Sequence, residues 1–223
     1  MRFSRQLLRY LKVTSMFKTL LQVLLAFGVS VANAGAYEDF FKAIELDDGR
    51  TISQLLRRGF DVNSPSESGQ TALYLALRAG AHQAAAALLT APDLKIDATN
   101  AANETALMMA ALRGQLDWCK RLVERGATVH REGWTPLHYA ATGPEPQAVA
   151  FLLAKGAPVD ALSPNGTTPL MMAARYGHET SVPLLLAAGA DAKRRNQKDL
   201  SAADFAKEGG REALAARLTA LAR

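Results

Sequence analysis

Cysteine is almost missing from this sequence: Cys119 stands alone among 223 residues. No disulfide can form within the chain, so stability must come from packing. Histidine is nearly as scarce, and the four present, His82, His130, His138 and His178, fall into no Cys/His spacing that a metal site uses. No Gly-x-Ser-x-Gly elbow, phosphate-cradling glycine loop or dinucleotide fingerprint occurs. Enzyme chemistry therefore has no positive support, and no catalytic residue, cofactor or metal is expected. A membrane span is missing too, since the most apolar run, Thr19 to Val31, contains Gln22 and is shorter than the roughly 20 residues a bilayer requires.

That run fits another purpose. The positive start Met16-Phe17-Lys18, the apolar stretch and the small residues Ala32-Asn33-Ala34 are the three parts of a secretory signal. Residues 1–34 are read as a signal peptide cut between Ala34 and Gly35, with Ala36 as the next site and Met16 as a start that leaves a signal of ordinary length. No Cys stands at the cut, so lipid attachment is not expected. The net charge of +5 also resides here. Arg2, Arg5, Arg9, Lys12 and Lys18 are the only charges before Gly35, and removing those five from 26 basic residues leaves 21 against 21 acidic ones. The processed chain is neutral, which gives no reason to expect nucleic acid or an anionic membrane as partner.

What the sequence has in quantity is repetition. Thr135-Pro136-Leu137-His138-Tyr139-Ala140 aligns with segments that begin at Thr71, Thr105, Thr168 and Ser201, in steps of 34, 30, 33 and 33 residues. A second landmark keeps the same register: Leu88-Leu89, Leu122-Val123, Leu152-Leu153 and Leu185-Leu186 each begin 17 residues after their Thr. Leu55-Leu56 supplies an earlier copy. A period near 33 with T-P-L-H-x-A resembles the ankyrin repeat. The resemblance runs from about Tyr37 to the end and implies an all-α solenoid of about six helix-turn-helix repeats joined by short β-hairpin fingers. The units are placed at about 37–65, 66–99, 100–129, 130–162, 163–195 and 196–223, the outer two serving as caps.

Within each unit the Thr is expected to cap the first helix, Pro to occupy its first position, and Leu and Ala to turn inward. Gly80, Gly114 and Gly177 are read as left-handed ends of first helices. Fingers are expected over Val62 to Gly69 and Val159 to Gly166. The one after the third repeat is short by three residues and should be blunted, since Gly126 to Thr135 takes nine steps whereas Gly156 to Thr168 takes twelve. Pro146 can open the outer helix of the fourth repeat. His138 and His178 fall at family positions and are read as structural hydrogen-bonding groups, Cys119 as a buried inert thiol, and Met108-Met109 and Met171-Met172 as core fillers. Leu153 is expected to pack on both neighbouring repeats, so that its truncation to Ala costs about 2–5 kcal/mol.

Proteins of this family usually bind partners on the concave side, through finger tips and exposed positions of the first helices. Carried over by position, that side here offers Gln70, Arg78, Glu104, Arg113, Arg131, Glu132, Trp134, Asn165, Arg175 and Tyr176. Leu112 lies beside them. Trp134 either anchors a partner or folds over the blunted finger. The expectation is a monomer in the periplasm of a Gram-negative bacterium that binds another protein as scaffold or protective partner. The alternatives are an inhibitor or immunity protein for a toxic periplasmic enzyme, and a hydrolase whose site involves His82 or His130.

Overall fold

A computed structural model describes residues 35–222. The expected signal segment, residues 1–34, lies outside the described residues. Among these there are twelve helices, arranged as six antiparallel pairs: α1 (residues 35–45) with α2 (Gly49–Arg57), α3 (Ala72–Ala79) with α4 (His82–Leu89), and α5 (Ala106–Leu112) with α6 (Leu116–Glu124). The remaining pairs are α7 (Pro136–Thr142) with α8 (Pro146–Ala154), α9 (Pro169–Arg175) with α10 (Ser181–Ala187), and α11 (Ala202–Glu208) with α12 (Glu212–Leu221). First helices stack in one layer, α3 on α5, α5 on α7, α7 on α9 and α9 on α11. Second helices such as α6, α8 and α10 stack behind them.

The repeated residues explain the repeated geometry. Thr71, Thr105, Thr135, Thr168 and Ser201 are the caps of α3, α5, α7, α9 and α11, and each hydroxyl accepts the amide hydrogen of the residue three further on, at 3.3–3.4 Å. Two positions past each Thr cap, Leu73, Leu107, Leu137 and Leu170 are buried, and Ala dominates the face between layers, which lets helices approach closely. Pro146 does open α8.

The leucine pairs divide their labour. Leu88, Leu122, Leu152 and Leu185 are fully buried, whereas Leu89, Val123, Leu153 and Leu186 are only partly so. Leu153 is thus not the central core residue expected of it. On an α-helix two consecutive residues point about 100° apart, and only the first of each pair faces both neighbouring repeats.

The joining fingers are turns rather than paired strands. Their closure consists of two backbone bonds, as in Ser66 N–H to the Gln70 carbonyl (2.9 Å) and Gly69 N–H to the Ser66 carbonyl (2.8 Å). A side chain takes amide hydrogens that a strand ladder would have used, since Asn100 Oδ1 accepts from Ala102 and Glu104, and Asn196 Oδ1 from Lys198 and Leu200. Only one isolated bridge, Arg195 to Ser201, appears among the described residues.

Gly177 also departs from expectation. Gly80 and Gly114 are left-handed, with φ of 73° and 68°, but Gly177 is not. It is glycine because a Cβ there would lie 2.1 Å from the Ala141 carbonyl oxygen, so its absence lets the end of α9 approach α7.

Candidate functional site

The fourth and seventh positions after the caps of α5, α7 and α9 differ in exposure: Met109 is buried, whereas Leu112, Tyr139, Thr142 and Met172 are only partly so. From α5, α7 and α9 those positions place Leu112, Tyr139, Thr142 and Met172 around a cleft of about 240 Å³, completed by Trp134 and His138. Trp134 precedes the cap of α7. It is half-buried, with its ring edge-to-face on His138 at 5.2 Å between centroids and 74° between planes. The tryptophan therefore does two things, covering the histidine and walling the cleft.

His138 is held from both sides. Its Nδ1 accepts the Thr135 amide hydrogen at 3.2 Å, which leaves the proton on Nε2, and Nε2 donates to the Thr167 carbonyl of the next repeat at 2.9 Å. Burial opposes the charged ring and pulls its pKa down to about 4, although the Thr167 carbonyl works in the other direction. His178 serves more locally, its Nδ1 accepting the Thr180 amide hydrogen at 3.3 Å.

Beside the cleft lies a polar cluster that ties three repeats together. The Glu104 carboxylate accepts hydrogen bonds from Tyr74 (2.7 Å), Tyr139 (2.8 Å) and the Asn100 amide (2.8 Å). The same amide also donates to Gln70 Oε1 at 2.9 Å. Burial pushes the Glu104 carboxyl up, but these donors and the Arg78 charge outweigh it and hold the group below the usual carboxylate range. Burial and the bond to Glu104 raise the Tyr74 phenol to about 12, and the Tyr139 phenol moves in the same direction for the same reasons. Gln70 and Glu104, expected as partner contacts, are thus joined to each other through Asn100 and turned to internal use.

The other expected contacts separate into committed and uncommitted groups. Arg175 pairs with Glu208 and lies over the Tyr176 ring at 5.0 Å. Asn165 shapes its own finger, its Oδ1 accepting from Ser163 Oγ at 2.6 Å. Arg131 donates to Asn103 Oδ1 at 2.7 Å. Arg78, Arg113 and Glu132 are exposed without an ion-pair partner among the described residues, and Tyr176 is 55% exposed. His138, Tyr139, Thr142 and Met172 are the wall residues outside the set expected from sequence. Met172, expected in the core with Met171, instead lines the cleft, and only Met171 is fully buried; the place of Met172 four residues after Thr168, matching Tyr139 after Thr135, is the signal for it.

The residues singled out for chemistry are not brought together. His82 Nδ1 accepts the Trp118 indole hydrogen at 2.6 Å, and Arg121 covers the same indole at 4.0 Å. His130 is exposed on its finger. Burial pushes the Cys119 thiol up to about 12, so it stays protonated at physiological pH. Among the described residues no group of three or more His, Cys, Asp or Glu side chains could hold a metal, and no helix is long and apolar enough to cross a membrane.

Comparison with known proteins matches residues 40–132 and 126–196 to the family described as Ankyrin repeats (3 copies). The chain belongs to the ankyrin-repeat family. Among curated relatives, the chicken nuclear factor NF-kappa-B p105 subunit is 31% identical over 165 residues, 71% of this chain and 17% of that protein. Mouse protein phosphatase 1 regulatory subunit 27 is 32% identical over 96 residues, 42% of this chain and 62% of that protein. The chain thus spans less than two thirds of the length of either relative. Among solved structures, a chain from the complex of a predatory endopeptidase of Bdellovibrio bacteriovorus with an immunity protein is 28% identical, with a TM-score of 0.69. That likeness covers 82% of this chain and 97% of the other. Ankyrin-repeat proteins are generally non-catalytic interaction modules, and the repeats of this chain imply protein-protein interaction.

Proposed function

We propose that this ankyrin-repeat protein is an exported inhibitor or immunity protein that binds an enzyme outside the cytoplasm with its concave face and blocks it. The carrying observation is the likeness, over nearly the whole of its counterpart, to a chain from a complex of an endopeptidase with an immunity protein. The signal-like residues 1–34 support export, and the cleft walled by Trp134, Tyr139 and Met172 supplies an apolar centre of the sort that interface hot spots use. The scaffold or protective-partner reading uses the same face and differs in what happens to the bound enzyme.

Capture on the immobilised chain from residue 35 onward, out of periplasmic extract, tests both. The captured protein is expected to be a peptidase or other hydrolase whose turnover falls as the chain is added, to a limit at equal stoichiometry. An enzyme that binds but keeps its full turnover would replace the inhibitor reading with the scaffold one. Turnover of ester, phosphate or peptide substrates by the chain itself, lost on substitution of His82 or His130, would make it the hydrolase instead. Export is checked by fractionation, with a soluble periplasmic species beginning at Gly35 or Tyr37 as the expected result.

A further inference from the structure

Four of the five fingers are latched by the same two backbone bonds. Ser66, Asn100, Ser163 and Asn196 each donate an amide hydrogen to the carbonyl four residues on, at 2.9–3.1 Å. Each also accepts on its own carbonyl the amide hydrogen from three residues on, at 2.8–2.9 Å. Among the described residues the third finger, His130 to Trp134, forms neither bond. His130 stands where the other fingers have Ser or Asn, whose side-chain oxygens accept the finger's own amides, and the linker before it is the shortened one. The open finger carries Trp134, so the least latched segment of the concave face stands directly on the cleft.

Charge around the cleft is uneven. On the helices and fingers that wall it, Arg175 is neutralised by Glu208 and Glu104 is spent on its phenols. Arg113, which follows the wall residue Leu112, and Arg131, whose charge reaches the Tyr139 phenol, remain uncommitted to any carboxylate, against the single exposed acid Glu132. The cleft volume of about 240 Å³ exceeds the ~150 Å³ that accommodates a benzene ring, and suits one large side chain rather than a length of peptide.

We propose that this cleft is the anchor pocket for one large apolar side chain on an acidic loop of the partner, with Arg113 and Arg131 receiving the loop's carboxylates and the open third finger closing over it. The proposal rests on the reading of the concave face as the protein-binding surface and specifies the chemistry that surface selects. The pocket supplies affinity and the two arginines supply orientation and salt-dependent capture.

The test uses the chain from residue 35 onward and blocked five-residue peptides with a central phenylalanine between two acidic residues on each side. Binding is followed through the indole N–H resonance of Trp134, assigned with a Trp134→Phe variant. A saturable shift at peptide concentrations on the order of millimolar is expected, at least tenfold weaker when the phenylalanine is replaced by alanine or the acidic residues by lysine. R113E/R131E in the protein should weaken binding at least tenfold and reverse its salt dependence, because the new carboxylates repel the acidic peptide and salt screens that repulsion. Met172→Gln, at a wall residue supplied by α9, should weaken it similarly, which keeps the test valid if changes at Trp134 disturb folding. Absence of any shift, binding indifferent to the phenylalanine, or binding that survives both R113E/R131E and Met172→Gln would overturn the proposal. Enzyme inhibition that persists while peptide binding fails leaves the inhibitor reading standing; peptide binding that holds while no enzyme is inhibited does the reverse.

Discussion

At the scale of single residues, the third position after each cap carries the most consequence. Met108 and Met171 occupy it in the third and fifth repeats, their sulfurs accepting the amide hydrogens of Thr105 and Thr168 at 3.4 Å. His138 performs the same local task and adds the bond to Thr167 that fastens the fourth repeat to the fifth. That gain brings pH dependence, because the buried ring titrates at about 4 rather than at the ordinary 6.5. The folded pKa is depressed, so between those values the unfolded chain binds more protons, and stability is lost as pH falls from 6.5 toward 4. From neutrality to pH 5 the expected loss is about 2 kcal/mol, and His138→Met should flatten that part of the profile in urea titrations at stepped pH. A wild-type profile as flat as the variant's would mean the ring is not held neutral. Glu104 makes a second case. Glu104→Ala leaves the Tyr74 and Tyr139 phenols and the Asn100 amide without their shared acceptor and should cost about 1–2 kcal/mol, water reaching the half-buried site and softening the loss. Equal denaturation midpoints would show that the cluster adds nothing to the fold.

At the scale of elements, the helix pair is read from its caps and leucines, and the core prediction belongs to Leu152. Leu152 is fully buried on α8 among residues of the neighbouring repeats, so Leu152→Ala should cost about 2–5 kcal/mol. Leu153→Ala, at a half-exposed position, should cost clearly less in the same chemical denaturation series. Reversal of that order would place α8 in the wrong rotation. The positions of the helices were legible because Thr, Leu and Gly each act locally and recur at a fixed spacing, so an error at one repeat is exposed by the others. The finger conformation was less so: whether a loop forms strands depends on which amides its own Asn and Ser side chains capture, and that depends on rotamers no spacing reports. The site was legible in part. Leu112 and Trp134 follow from position, but Met172 looks like core until it is seen to be only partly buried and to line the cleft beside the buried Met171. Gln70 and Glu104 look like free contacts until Asn100 is seen between them.

At the scale of the whole molecule, each helix pair buries its apolar side only by stacking on its neighbours, so the array behaves as a row of coupled units and its middle repeats support most of the structure. The cleft sits in that well-supported middle, on α5, α7 and α9, while the one finger without its latch lies beside it. Rigid walls with one adjustable edge favour a partner that inserts a side chain, since the walls lose little entropy on binding. Trp134 is the residue on which this reading turns. Trp134→Ala should weaken binding to the cognate enzyme by about 2 kcal/mol or more, roughly thirtyfold, because the indole is a wall of the cleft. The melting temperature should fall only slightly, since the ring is half-exposed and its one stacking contact among the described residues is His138. Tyr176→Ala, at the exposed end of α9, should weaken binding in the same direction, whereas Arg125→Ala at the end of α6 should leave the affinity unchanged. Calorimetric titration of the enzyme with each variant distinguishes the outcomes. If the Trp134/Tyr176 double alanine variant binds as tightly as the wild-type chain, the enzyme is held by another surface. A large fall in melting temperature with unchanged affinity would instead make Trp134 a cover for the blunted finger.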